Sequence, residues 1–119
     1  MIAIFFALSQ EVASLKSQVN ILKKIRYANA VFYQAEFCGF PVTLVQTGVG
    51  KNVSEAIHQL STYFRIQLMV SSGFAGSVNP KVGVGDLVIG RRVLSSSRGV
   101  SEEGIPIDSA LPCDASAVD

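Results

Sequence analysis

The stretch Val70–Gly90, which reads V-S-S-G-F-A-G-S-V-N-P-K-V-G-V-G-D-L-V-I-G, decides how this chain folds. Its apolar ends predict a buried strand over Gln67–Ser72 and a second strand over Asp86–Leu94. Gly73 and Gly76 break the chain between them, because glycine permits positive φ and the close approach of another group. Since α/β sheets bind ligands beyond the carboxyl ends of their strands, this loop is a candidate site. A plain connection that needs glycine for its geometry is an equally good interpretation.

Composition excludes several classes of protein. The 119 residues are 49% hydrophobic and 16% charged, which is typical of a globular domain with buried strands. A formal charge of +1 provides no basic field, so we expect no nucleic-acid partner. Met1–Leu8 is too short to span a membrane and lacks the basic start of a signal peptide. The two cysteines, Cys38 and Cys113, suggest a reducing cytoplasm, and no Cys/His cluster has metal-ligand spacing.

The other elements predict a sheet that mixes parallel and antiparallel strands. A continuous apolar run is typical of a central strand, alternation of an outer one, and an apolar stripe of an amphipathic helix. The first two elements are a strand at Ile2–Ala7 and a helix capped by Ser9, with apolar residues at helical spacing: Val12, Leu15, Val19 and Leu22. They are followed by a hairpin of Ala30–Phe37 and Val42–Thr47, turned by Cys38–Pro41. The last is a helix over Asn52–Phe64.

The chain changes character after Leu94. Residues 95–119 contain three consecutive serines, two glycines and two prolines without helical or strand periodicity. We therefore expect residues 1–94 to form the α/β part and residues 95–119 to be an irregular or mobile tail.

Glu11 stands where the first predicted strand meets its helix. A carboxylate at the carboxyl edge of a sheet is placed to hold or activate a water molecule. The alternative needs no ligand, since an acid in the first turn of a helix stabilises the helix dipole.

Gly48-Val49-Gly50-Lys51 precedes the second predicted helix. Free N–H groups at a helix start attract anions, so this loop is a candidate for phosphate or carboxylate binding. It is not a P-loop, because the first glycine of that motif and the Ser or Thr that binds magnesium are both absent. It is not a dinucleotide fingerprint, because the last glycine of that pattern is absent. Arg91 and Arg92 could meet an anion, although paired arginines at a strand end are usually solvated. We expect His58 on the surface, because it lies opposite the apolar stripe of its helix.

The order of three segments resembles the nucleoside phosphorylase/nucleosidase superfamily, which includes purine and uridine phosphorylases. The segments are Ala7–Val12 (A-L-S-Q-E-V), Thr47–Lys51 (T-G-V-G-K), and Ser72–Gly76 (S-G-F-A-G) leading into Val84–Val88 (V-G-D-L-V). The resemblance covers about residues 1–94. Within the superfamily, the chain is most similar to methylthioadenosine/S-adenosylhomocysteine nucleosidases, futalosine hydrolases and hopanoid-associated members. It implies a three-layer α/β/α fold of the phosphorylase/hydrolase type, with a mixed central sheet.

The resemblance also implies roles for individual residues. Glu11 matches the glutamate that orients the attacking water, and Val49 matches an apolar residue near the sugar. The backbone around the base and ribose matches Gly50, Ser72, Gly73, Phe74, Ala75 and Gly76. In a phosphorolytic member, Gly48 would contact the phosphate.

Two departures from the family pattern bear on the reaction. Ser71 occupies the place where phosphorylases commonly carry a phosphate-binding Arg, and a phosphate without a guanidinium partner is poorly held. This difference favours hydrolysis over phosphorolysis. Phe74 stands where methylthioadenosine nucleosidases carry a small Ser, which leaves the identity of the nucleoside open.

The resemblance places further catalytic groups in a second half that this chain does not match. Those groups are a Met-Glu pair that grips the ribose and an Asp that protonates the purine. We therefore expect the chain to be the truncated, amino-terminal half of a homo-oligomeric enzyme. The whole enzyme would cleave the N-glycosidic bond of a purine (deoxy)ribonucleoside or thio-nucleoside without a cofactor or metal, and this half alone would be inactive. The alternatives are a nucleoside-binding or dimerising fragment without the general acid, and an unrelated flavodoxin-like phosphate binder.

Overall fold

The computed structural model describes residues 1–50, 53–95 and 109–112. The chain divides into two compact units, Met1–Gly76 and Ser77–Asp119. The first unit contains the large sheet, both helices and the candidate site, and the second contains a two-stranded ribbon. None of the described helices is long and apolar enough to cross a membrane.

The first unit is built on a mixed five-stranded sheet with the order β2-β3-β4-β1-β5. β1 lies between β4 and β5 and is parallel to both, whereas β2, β3 and β4 pair antiparallel. The mixed sheet predicted from the sequence is therefore confirmed. The strand bounds are Ile2–Phe6 for β1, Asn20–Tyr27 for β2, Ala30–Phe37 for β3, Phe40–Gln46 for β4 and Leu68–Ser71 for β5.

Two helices, α1 (Ser9–Lys16) and α2 (Val53–Tyr63), cover opposite faces of this sheet. Successive side chains of a strand point to opposite faces, and β4 shows the result. Leu44 packs in the cluster that includes Val12 of α1, whereas Val45 packs in the cluster that includes Leu60 of α2. The expected three-layer α/β/α arrangement is confirmed.

The first helix is shorter than its helical spacing predicted. It ends at Lys16, and the predicted helical positions Val19 and Leu22 lie outside it, with Leu22 in β2. Val19 still packs against the α1-side core, so its apolar character serves the core without a helix. Pairing of β2 with β3 decides the backbone here, because tertiary context overrides local propensity.

The predicted hairpin is confirmed, with a tighter turn than expected. β4 begins at Phe40, so that only Cys38 and Gly39 connect it to β3. Their φ angles are +50° and +77°, the signs that a type I′ turn requires. Cys38 is exposed, and Cys113 lies outside the described residues.

The second unit departs from the predicted strand at Asp86–Leu94. The strand is β6, Arg92–Ser95, and it pairs antiparallel with β7, Ser109–Pro112, inside the segment predicted to be irregular. Asp86 instead closes a turn, since its Oδ2 accepts the N–H of Gly83 at 2.8 Å. The remainder of the segment after Ser95 lies outside the described residues.

Candidate functional site

The carboxyl ends of β4, β1 and β5 lie side by side and open into a cleft of about 390 Å³. Each strand is followed by residues that line it, and α2 contributes two apolar side chains at the start of the helix. The lining includes Ala7 and Glu11 after β1, Thr47–Gly50 after β4, Ser71 and Ser72 at the end of β5, and Val53 and Ile57 of α2.

Backbone hydrogen bonds to the end of β1 fix the starts of the loops that follow β4 and β5. The N–H of Thr47 donates to the carbonyl of Phe6 at 2.9 Å, and the N–H of Ser72 donates to the carbonyl of Phe5 at 2.9 Å. The Thr47 hydroxyl is buried and lies 2.9 Å from the Gly48 carbonyl and 3.3 Å from that of Phe6. This hydroxyl joins the start of the glycine loop to the end of β1.

Three backbone N–H groups hold the Glu11 carboxylate. Its Oε2 accepts from Ala7 and Leu8, each at 3.0 Å, and its Oε1 accepts from Phe74 at 3.2 Å. The N-cap residue is Leu8, so the prediction that Ser9 caps the helix is wrong. Leucine has no side-chain acceptor, so the side chain of Leu8 caps no N–H of the helix. The Glu11 carboxylate accepts the N–H of Leu8, which is one of the two hydrogen bonds of a capping box.

These donors keep Glu11 ionised. The N–H groups of Leu8, Phe74 and Ala7 lower the pKa of its carboxyl below the ordinary 4.5, in spite of an opposing effect of desolvation. A hydrogen bond to the charged form favours that form. Glu11 is therefore an anionic acceptor that is hydrogen-bonded at the helix start and also borders the cleft. Its predicted action on a water molecule stays a prediction.

The other predicted site residues take different places. Gly48, Val49, Gly50 and Ser72 line the cleft, with the Val49 side chain 82% exposed. Gly73 and Phe74 lie beside Glu11 instead. The Glu11 carboxylate fills the space where a side chain of Gly73 would be, and the N–H of Phe74 donates to Glu11. The described lining of the cleft does not include Ala75 or Gly76. Lys51 lies outside the described residues.

Positive φ occurs at different glycines from those expected. Gly48 and Gly50 have φ of +77° and +101°, whereas Gly73 and Gly76 do not have positive φ. The expectation of positive φ at Gly73 and Gly76 is therefore wrong. The expected close approach is present at Gly73 alone, where the Glu11 side chain comes near, because the space beside Gly76 is open.

Sequence reasoning missed Val53, Ile57 and Met69 as lining residues, whereas Thr47, which also lines the cleft, belongs to the predicted loop Thr47–Lys51. Val53 and Ile57 belong to the apolar stripe of α2, which predicted core positions. Their place in the first turns of a helix that follows a glycine loop was the available signal. Within the described ranges, Glu11 is the one ionisable side chain along the cleft, and no group of three metal-ligating side chains occurs.

A model of the phosphorylase superfamily matches residues 1–119. Among curated relatives, a 5′-methylthioadenosine/S-adenosylhomocysteine nucleosidase from Staphylococcus saprophyticus is 37% identical over 90 residues, which are 75% of this chain and 40% of the relative. The chain thus spans less than half the length of this relative.

Solved structures share the fold. The nucleosidase of this name from Neisseria meningitidis, in complex with methylthio-immucillin-A, has a TM-score of 0.80 at 22% identity, covering 98% of this chain and 54% of the other. The one from Colwellia psychrerythraea, in complex with adenine, has a TM-score of 0.63 at 32% identity, covering 71% and 36%. Because the family model matches the whole chain, an unrelated flavodoxin-like phosphate binder is ruled out, and the chain belongs to the phosphorylase superfamily.

Proposed function

We propose that this chain forms part of a site that cleaves the N-glycosidic bond of a purine nucleoside or 5′-thio-nucleoside, by hydrolysis rather than phosphorolysis. One observation carries the proposal: an ionised carboxylate, Glu11, is fixed by three backbone N–H groups at the edge of a cleft of about 390 Å³. The relatives named as methylthioadenosine/S-adenosylhomocysteine nucleosidases support this choice of substrate class.

Glu11 would act on water in this reaction. The carboxylate accepts one O–H of a water molecule and directs its oxygen to the anomeric carbon of the sugar. The C–N bond to the purine breaks, with its electron pair leaving on the purine nitrogen, as the C–O bond to water forms, and positive charge develops on the sugar in between. The proton that water loses passes to the Glu11 carboxylate, and the purine takes its proton from solvent or from a general acid. A nearby anion stabilises that charge most effectively when it is already in place, as the three N–H donors ensure here.

The charge of the cleft favours hydrolysis. Among the lining residues that the structure describes there is no Arg or Lys, and Ser71 lies at the position where the resemblance expected a phosphate-binding Arg. Ionised Glu11 would also repel a phosphate dianion. Water, which is neutral, meets neither obstacle.

The remaining substrate contacts are proposals on the same basis. Gly48, Val49, Gly50 and Ser72 lie along the cleft and would border the sugar, with Gly48 the contact for phosphate in a phosphorolytic reaction. Backbone of the loop Gly73–Gly76 would border the base and ribose.

A second candidate is a nucleoside-binding module that does not turn over its ligand. A departing purine needs a proton, and general acid catalysis of this kind contributes about 10²–10⁴-fold in rate. Along the described part of the cleft Glu11 is the one ionisable group, and its lowered pKa makes it a poor acid. This observation favours binding without efficient catalysis by the chain itself.

Calorimetry with two ligands tests the proposal. We expect the chain to bind methylthioadenosine, and to bind an analogue with a protonated nitrogen in the sugar ring about tenfold more tightly, through a charge-assisted contact with Glu11. Glu11→Gln should remove this preference and leave binding of the neutral nucleoside, whereas Glu36→Gln, an exposed glutamate of β3, should retain both. Failure of the chain to bind either ligand would contradict the proposal.

An assay of products separates the two candidates. Chromatography of the chain incubated with methylthioadenosine, with and without phosphate, reports adenine together with free methylthioribose or its phosphate ester. Adenine and free sugar that disappear in Glu11→Gln support hydrolysis by this chain. Binding without adenine supports the second candidate, and the sugar phosphate would contradict hydrolysis.

We also propose that the chain self-associates through β5. This strand is an edge of the five-stranded sheet in the described residues, and its Leu68 and Met69 are 37% and 48% exposed. An exposed apolar edge strand offers free backbone groups and apolar surface for pairing with another copy.

A further inference from the structure

Gly73 lies against the carboxylate of Glu11. A Cβ placed on Gly73 would be 2.7 Å from Oε1, 3.1 Å from Cδ and 3.4 Å from Oε2 of that glutamate. The shortest of these distances is one that real Cβ atoms do not show. Because the φ of Gly73 is not in the left-handed region, its backbone does not require glycine. What requires glycine here is the space that the carboxylate fills.

The next residue holds the same oxygen. The N–H of Phe74 donates to Oε1 of Glu11 at 3.2 Å, whereas the N–H groups of Ala7 and Leu8 both donate to Oε2. A carboxylate oxygen has two lone pairs, so Oε2 is fully used and Oε1 retains one free acceptor position. Oε1 is therefore the oxygen available to a water molecule.

We propose that Gly73 is a positioning residue, whose lack of a side chain lets the loop after β5 hold Oε1 of Glu11 in place for water. A methyl group at residue 73 would occupy part of the volume of the carboxylate and drive it away from the Phe74 N–H. The role of the water rests on the proposed function, whereas the contact among Gly73, Phe74 and Glu11 does not.

The same geometry indicates how an alanine at this position is accommodated. The atoms that a Cβ would meet belong to the far end of a flexible side chain rather than to backbone. Gly73→Ala should therefore fold, with the Glu11 carboxylate displaced. Gly76→Ala is a matched variant in the same loop, because its Cβ would meet nothing within 4 Å and its φ is not positive.

Carbon-13 NMR of the glutamate carboxyls in the full chain tests the displacement. In the wild type, the Glu11 signal, assigned by its absence in Glu11→Gln, should titrate below 4.5, and the Phe74 amide proton should shift with the same midpoint. In Gly73→Ala we expect the Glu11 midpoint to rise and the amide proton to stop following it. In Gly76→Ala both should remain as in the wild type. A wild-type titration in Gly73→Ala would overturn the proposal.

Thermal unfolding provides a second test, which remains informative if Gly73→Ala is less stable than the wild type. We expect Gly73→Ala to lower Tm by about 4 °C or more in the wild-type background. In the Glu11→Ala background, where the obstructed atoms are gone, the same change should leave Tm unchanged or raise it slightly, because alanine restricts the unfolded chain. An equal loss in both backgrounds would mean that Gly73 serves some other part of the loop, and would overturn the proposal.

The outcomes separate this inference from the proposed function. If the NMR and Tm results are as expected but the chain binds no nucleoside, the positioning contact holds and the proposed function fails. If the chain binds nucleosides with the preference described, yet Gly73→Ala leaves Glu11 and that preference unchanged, the proposed function holds and the positioning role fails.

Discussion

The backbone N–H of Phe74 donates to Oε1 of Glu11 at 3.2 Å, across 63 positions of sequence. This contact joins the first turn of α1 to the loop after β5, two segments that are far apart in the sequence. The helix start that Glu11 caps and the loop that borders the cleft therefore depend on the same carboxylate. Changes to Glu11 should therefore affect both the stability of the chain and its preference for a cationic ligand.

The stability of the chain should depend on pH through Glu11. Its pKa in the folded state is below 4.5, so its ionised form stabilises the fold above that pH, and this contribution is lost as the pH falls through the folded-state pKa. Glu11→Gln should unfold at lower urea concentration than the wild type at neutral pH, and the difference should shrink below pH 4.5.

Urea titrations from about pH 7 to about pH 3 measure this difference, with Glu36→Gln as the comparison. Glu36 is exposed and is not one of the groups around the cleft. A gap between wild type and Glu11→Gln that widens toward acid would contradict the direction assigned to the Glu11 pKa.

Two buried threonines should respond differently to valine. The Thr47 hydroxyl lies 2.9 Å from the Gly48 carbonyl, so Thr47→Val should lower the free energy of unfolding by about 1 kcal/mol and weaken nucleoside binding. The Thr43 hydroxyl donates to the sulfur of Met1, a weak acceptor, so Thr43→Val should be close to neutral. Chemical denaturation measures both, and equal losses would show that the Thr47 hydroxyl has no special role.

Alanine should have opposite effects at Gly48, which lines the cleft, and at Gly76, in the loop after β5. Gly48 has φ of +77°, where an L-residue is strained by about 1–2 kcal/mol, so Gly48→Ala should destabilise the chain. Gly76→Ala should stabilise it by about 0.4–1 kcal/mol, because alanine restricts the unfolded chain and meets open space in the fold. Chemical denaturation measures both, and destabilisation by Gly76→Ala would mean that the loop after β5 is more crowded than its geometry indicates.

Self-association should depend on one edge of the sheet. Leu68→Lys places a charge on β5 and should shift the population toward monomer, as multi-angle light scattering over a range of concentrations would show. Leu22→Lys is the control on the opposite edge, because β2 already carries Lys23, Lys24 and Arg26. A wild-type chain that remains monomeric at high concentration would contradict the proposed homo-oligomer.

Much of the fold could be predicted from local patterns. The apolar run of β1, the hairpin of β3 and β4 and the apolar stripe of α2 each determine their element, because burial on one or both faces dictates which positions are apolar. The error at α1 and β2 has the same origin. Val12, Leu15 and Val19 all pack in one core, and helical spacing cannot distinguish a helix from a helix followed by a strand.

The sequence by itself determined the family, the α/β order of elements and the presence of an acid where the first strand meets its helix. Only the tertiary structure decided how that acid is held: which backbone groups donate to it, which of its oxygens remains free, and why residue 73 has no side chain. The physical reason is the distance along the sequence between the interacting residues. Periodicity and capping act within a few residues, whereas the Glu11 carboxylate is held by Phe74, which β5 brings alongside β1 only when the sheet forms.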